Sequence, residues 1–126
     1  MARTRAISDA ELEVLKVLWN RGPSTVREVH VHLTRKKDRR AYNTVLTLLA
    51  RLREKGFVVS EKLGVALQFR AVVSREQLLK RRLAELADQV CDGTAAPLVH
   101  ALVDSRRFSA EEIGALRRLL DELDPD

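Results

Sequence analysis

The chain has 126 residues, 45% of them apolar but only 4% aromatic, a single cysteine and a formal net charge of +5. That suffices for one ordinary domain, or a small domain with an appended oligomerisation element, with a core resting on Leu and Val. One cysteine, Cys91, excludes an intramolecular disulfide and any multi-cysteine metal cluster, and a small buried apolar site is its expected place.

No run of the sequence is long and apolar enough to cross a bilayer, and the opening MARTRAISDAE has no apolar stretch after its arginines. Neither a signal peptide nor an anchor is predicted, so a cytoplasmic location is expected. Charge is unevenly spread. Residues 1–72 hold 15 Lys+Arg against 7 Asp+Glu, whereas residues 73–126 hold 8 against 11. A basic first half is the footprint of a polyanion binder, and an acidic second half would be repelled by the same polyanion.

Four helix starts carry a hydroxyl N-cap with Glu or Gln three residues on: Ser8/Glu11, Thr25/Glu28, Ser74/Gln77 and Ser109/Glu112. The first predicts a helix over about 8–20, with Leu12, Leu15 and Trp19 as its buried stripe, stopped by Arg21-Gly22-Pro23. The second runs over about 25–36, buries Val26, Val29 and Leu33, and ends in the basic run 35–40. A third begins near Ala41 and closes at Gly56, a suitable residue just past a helix end. Val45, Leu48, Leu49 and Leu52 form its apolar face. Asn43, Thr44, Thr47 and Arg51 lie together opposite, and are side chains able to meet base edges in a major groove.

After Gly56 the period changes from 3.6 to 2. Val65, Leu67, Phe69 and Ala71 alternate with Ala66, Gln68 and Arg70, the mark of a half-buried strand, with Phe57–Lys62 as its partner and Leu63-Gly64-Val65 as the turn. Three helices and a hairpin make a winged helix-turn-helix. Beyond Val73 the pattern is helical. Leu79, Leu83, Leu86 and Val90 form a narrow seam of the coiled-coil kind on a helix over about 74–92, roughly 28 Å long. Asp92-Gly93 ends it. Pro97–Ser105 and Ser109–Leu123 carry further stripes, Leu98 with Leu102, and Ile113, Leu116, Leu120 and Leu123. Some 50 residues of short helices can hardly close a core alone, so a dimer sharing its core across a two-fold axis is expected. The fold class is mainly α with a small β-hairpin: a winged-helix DNA-binding domain at 1–73 and an all-α dimerisation domain at 74–126.

The segments ISDAELEVLKVLWNRGPSTVREV, AYNTVLTLLARLREKGFV and VSREQLLKRRLAELADQVCDGTAAPLVHALV resemble, in order, the penicillinase and methicillin-resistance repressor family of bacterial transcriptional regulators. The resemblance spans residues 7–123. It implies a homodimer on double-stranded DNA with an inverted-repeat operator, repressing transcription, with antibiotic resistance as an association of the family. It also implies release when the C-terminal domain is cleaved on a signal from a membrane-bound sensor metalloprotease. The cleavage region corresponds roughly to His100–Val103, around Ala101 and Leu102, without the Asn-Phe pair familiar there. Carried over by position, Asn43, Thr44, Thr47 and Arg51 contact bases. The family commonly has Trp where Arg40 stands and a basic residue where Leu46 stands, and often Arg or Lys beside the wing glycine. The expected phosphate contacts are therefore Arg39, Arg40, Arg53 and Lys62. Dimerisation falls to Leu79, Leu83, Leu86, Val90, Leu98, Leu102, Leu116 and Leu120.

Other chemistry finds little support. His30 and His32, two apart on a helix, point about 200° away from each other and cannot share an ion. His100 has no ligand cluster around it, so no metal and no cofactor is expected. No nucleophile elbow, phosphate loop or metal spacing occurs, which argues against an enzyme. The competing expectation is a winged helix used as a protein-interaction module, its basic face meeting an acidic partner.

Overall fold

The computed structural model describes residues 6–37, 39–105 and 108–123 and divides into two compact units, Met1–Arg81 and Arg82–Asp126. In the first unit come α1 (Asp9–Arg21), β1 (Ser24–Thr25), α2 (Val26–Arg35), α3 (Tyr42–Glu54), β2 (Val58–Leu63) and β3 (Ala66–Ala71). Helix α4 (Arg75–Val90) begins there and runs into the second unit, which holds α5 (Ala96–Asp104) and α6 (Ala110–Leu123). The expected domain boundary at 73/74 coincides with the start of α4; the compact units part within that helix.

All four hydroxyl caps form. Ser8 and Glu11, Thr25 and Glu28, Ser74 and Gln77, and Ser109 and Glu112 exchange reciprocal hydrogen bonds of 2.8–3.2 Å, satisfying amide groups that a helix start leaves orphaned. Helix α3 closes at Lys55 with Gly56 at φ 86°. The amide of Phe57 donates to the Leu52 carbonyl at 2.9 Å and that of Gly56 to Arg53 at 3.1 Å, the paired closure of a Schellman motif.

The core of the first unit joins the three helices to the sheet. Val26, Val29 and Leu33 of α2 and Val45, Leu48, Leu49 and Leu52 of α3 are buried, as their periodicity predicts. In α1 the buried stripe is Glu11, Val14, Leu15 and Leu18, with Val17 beside it; Leu12 and Trp19 are only half-buried. Of the expected stripe Leu15 is buried, while the flanking buried positions are Glu11 and Leu18 instead of Leu12 and Trp19; the Glu11 charge is met by a partner described below.

The sheet has three antiparallel strands in the order β1-β3-β2. Strand β1 is the addition to the expected hairpin: Ser24 pairs with Phe69 and Thr25 with Gln68. Two residues after a Gly-Pro turn carry no alternation from which a strand could be predicted. Thr25 therefore pairs in the sheet and also N-caps α2. The hairpin turn is shorter than expected, since Leu63 pairs with Ala66 and only Gly64-Val65 lie between them. Gly64 has φ 63°, the sign that a type II′ turn needs at its first central position. Burial along β3 is also less than alternation predicts. Phe69 is buried and Ala71 half-buried, but Leu67 is 43% exposed and Val65 wholly exposed, because residues 61–67 reach beyond the helices that cover the rest.

At the joint to α4, the Trp19 indole N–H donates to the Val73 carbonyl at 2.7 Å. The Arg75 guanidinium lies 5.3 Å over the Trp19 ring and donates to Asn20 Oδ1 at 3.0 Å. Val73 and Leu78 are buried.

In the second unit, α4 ends at Val90 and is followed by Asp92 and Gly93, with φ 54° and 84°; the Gly93 amide donates back to the Ala87 carbonyl at 2.8 Å. Neither α5 nor α6 buries a residue. Between these helices lies an apolar hollow of about 450 Å³ lined by Val99, Val103, Phe108, Ile113, Leu116, Arg117 and Leu120. The seam residues Leu79, Leu83, Leu86 and Val90 are exposed, Leu98 is half-buried, and Leu102, Leu116 and Leu120 are exposed. Cys91 is half-buried rather than buried: it follows the last turn of α4, where the chain reverses. No helix among the described residues is long and apolar enough to cross a membrane.

Candidate nucleic-acid interface

Helix α3 is held from behind by four fully packed side chains, and its other side is open. Asn43, Thr44, Thr47 and Arg51 are all exposed. At about 100° per residue they fall within about 100° of one another, one continuous stripe. The Thr47 hydroxyl donates to the Asn43 carbonyl one turn earlier at 3.0 Å, so its oxygen is left to accept and its methyl adds apolar surface.

The start of α3 differs from that of its neighbours. Its N-cap is Ala41, with no side-chain cap, and its first turn holds no acidic residue. Unsatisfied amides and the positive end of the helix dipole are thus left for an anion. Basic residues gather there: Lys37, Arg39 and Arg40 line, with His30, Thr34 and Ala41, an open hollow of about 500 Å³. Arg39 is exposed and Arg40 half-buried.

The two remaining cations of the expected phosphate set sit along the wing. Arg53 donates to Ser60 Oγ at 2.9 Å and lies 5.9 Å from the centre of the Phe69 ring, bridging α3 to β2. Lys62 is exposed two residues beyond Ser60, on the same side of the strand.

His30 and His32 diverge. The His30 ring meets Tyr42 edge-on at 5.8 Å. His32 has its Nε2 buried without a hydrogen-bond partner; burial, then the cations Lys36, Arg21 and Arg35, push its pKa down. No cluster of three or more His, Cys, Asp or Glu suited to a metal occurs among the described residues.

Two features escaped the sequence. Tyr42 and Leu46 are exposed large apolar side chains on the flank of the polar stripe, legible only once the register of α3 against the core is fixed. The other is the tie between Glu11 and Lys55, residues 44 positions apart.

Comparison with known proteins places this geometry. The family model for the penicillinase repressor matches residues 7–122. The transcriptional regulator BlaI of Mycobacterium tuberculosis is 36% identical over 98% of this chain and 89% of its own. The penicillinase repressor of Bacillus licheniformis is 29% identical over 97% and 94%. The methicillin resistance regulatory protein MecI of Staphylococcus aureus is 27% identical over 95% and 97%. Among solved structures, the DNA-binding domain of the repressor BlaI superposes with a TM-score of 0.53 at 32% identity, covering 61% of this chain and 93% of that one. The monomeric form of B. licheniformis BlaI in complex with the blaP half-operator gives a TM-score of 0.51 at 32% identity over the same shares. The chain belongs to the penicillinase repressor family, a family of transcriptional regulators and not of enzymes.

Proposed function

We propose that this chain represses transcription as a homodimer on an inverted-repeat operator, with residues 1–73 as its DNA-binding domain and 74–126 as its dimerisation domain. The observation that carries the reading is the stripe of Asn43, Thr44, Thr47 and Arg51, exposed on one face of a helix whose opposite face is buried. In this reading α3 enters the major groove and those four side chains meet base edges. Arg39 and Arg40, at the uncapped start of α3, meet phosphates, as do Arg53 and Lys62 beside the wing. A relative at 32% identity is described in complex with a half-operator, which supports DNA as the partner.

Dimerisation is supported by what α4, α5 and α6 leave exposed: Leu79, Leu83 and Leu86, at coiled-coil spacing, are 56%, 40% and 43% exposed. A two-fold axis would set two α3 helices about one or two turns of DNA apart, roughly 34 Å per turn. Release by proteolysis, under a membrane-bound metalloprotease sensor, would act on α5, where Ala101 and Leu102 are exposed. Cutting there would divide the dimerisation domain and separate the half-sites' readers.

The test is a binding titration against a duplex selected by this chain from a random pool, repeated at several salt concentrations. Affinity should fall linearly in log-log form with salt. Arg51→Ala and Thr47→Ala should reduce discrimination against random DNA by about 1–3 kcal/mol, while Arg39→Ala should weaken both targets alike. A chain that prefers no duplex, and whose basic face instead retains an acidic protein, would refute the proposal.

A further inference from the structure

The open side of α3 carries a second stripe that the polar one leaves unused. Tyr42, Leu46 and Ala50 fall within about 80° of one another, next to the line of Asn43 and Thr47. Tyr42 is 46% and Leu46 42% exposed. The Tyr42 ring meets the His30 ring edge-on, with centroids 5.8 Å apart. Its charged neighbour on the same flank, Arg53, turns its guanidinium to Ser60 and the Phe69 ring. The Thr47 hydroxyl is engaged with the Asn43 carbonyl at 3.0 Å, so Thr47 also presents a methyl on the open side of the helix.

Leucine offers no hydrogen bond, so it gains only from an apolar partner that covers it. In the major groove that partner is the 5-methyl group of thymine, an apolar group that distinguishes one base there. We propose that Leu46, flanked by Tyr42 and Ala50, is a specificity-determining residue that selects thymine by packing against its 5-methyl group. This rests on the DNA-binding reading above. Asn43, Thr44, Thr47 and Arg51 would then read hydrogen-bonding edges while the adjoining stripe reads a methyl, so that the operator is sensed through two independent chemistries.

Deoxyuridine lacks only that methyl and leaves base pairing intact. The experiment takes a duplex selected by the wild-type chain and replaces each thymine in turn by deoxyuridine, measuring the affinity of wild type and of Leu46→Ala. At one or more thymines the wild type should lose about fourfold, the worth of one methyl removed from water. Leu46→Ala should be indifferent at those same positions while keeping its discrimination elsewhere. Deoxyuridine costing both proteins equally at every thymine, or costing neither, overturns the role of Leu46 and leaves DNA binding standing. Failure to select any duplex overturns both. Leu46 is exposed, so the variant is expected to fold, and an unchanged thermal transition checks that.

Discussion

The Glu11 carboxylate accepts a hydrogen bond from Lys55 Nζ at 2.6 Å, with the Glu11 side chain 2% exposed and that of Lys55 23%. The same carboxylate accepts from the Ser8 amide at 2.9 Å, and Lys55 also donates to the Ala6 carbonyl at 2.8 Å. One ion pair thus ties the start of α1 to the end of α3. Removing only the cation would strand a buried charge, so Lys55→Met should destabilise the fold by about 2 kcal/mol in urea titration. Glu11→Leu with Lys55→Met should recover part of the loss. A loss in the double variant equal to the sum of the losses from Glu11→Leu and Lys55→Met alone would show that the pair does not act as a unit.

The same pair sets an acid limit. Burial alone would raise the Glu11 pKa, but the Lys55 hydrogen bond, the Ser8 amide and the attraction of Lys55 outweigh it and hold the value below its ordinary 4.5. Glu28 is lowered as well, chiefly by the Thr25 amide. A depressed native pKa means that the unfolded chain binds the proton first. Stability is therefore fully present above about 4.5 and lost as pH falls through the lower native values. Unfolding midpoints measured from pH 7 to 3 should fall mainly at the acid end, and less steeply in the Glu11→Leu/Lys55→Met variant.

Trp19, the only tryptophan in the chain, donates to the Val73 carbonyl immediately before α4. Trp19→Phe keeps an aromatic ring but removes the donor, and should cost about 1 kcal/mol. Arg75→Ala uncovers the indole and should move its fluorescence emission to longer wavelength. An unmoved spectrum would mean that Arg75 does not cover the ring in solution.

Gly56 has φ 86° and no atom within 4 Å of the place a Cβ would take. Gly56→Ala should therefore meet no clash, only left-handed strain, and cost about 1 kcal/mol. Thermal unfolding checks this. A loss several times larger would point to packing instead.

Leu83→Asp places a charge in the exposed seam of α4. Sedimentation of this variant should show monomers at concentrations where the wild type is dimeric, with weaker binding to the full operator and unchanged binding to a half-site. A dimer that persists would remove the seam from the interface.

The sequence carried the winged-helix plan because that plan is written locally. Hydroxyl caps, the apolar faces of α2 and α3, Gly56 and the change of period after it each need only a few neighbouring residues. The misplacements have one physical origin. Glu11 counted against burial in α1 because its partner, Lys55, lies far along the chain. Leu67 and Val65 counted towards burial because alternation reports the period of a strand and not how far the core reaches along it. The polar stripe was legible from composition and spacing. The apolar flank beside it was not, since an exposed Leu and a buried Leu look alike in a sequence.

Thr25 caps α2 with its hydroxyl and pairs with Gln68 at the edge of β3 through its backbone. A tilt of β3 would carry the start of α2 with it, because β1, paired along its edge, contributes the residue that caps that helix.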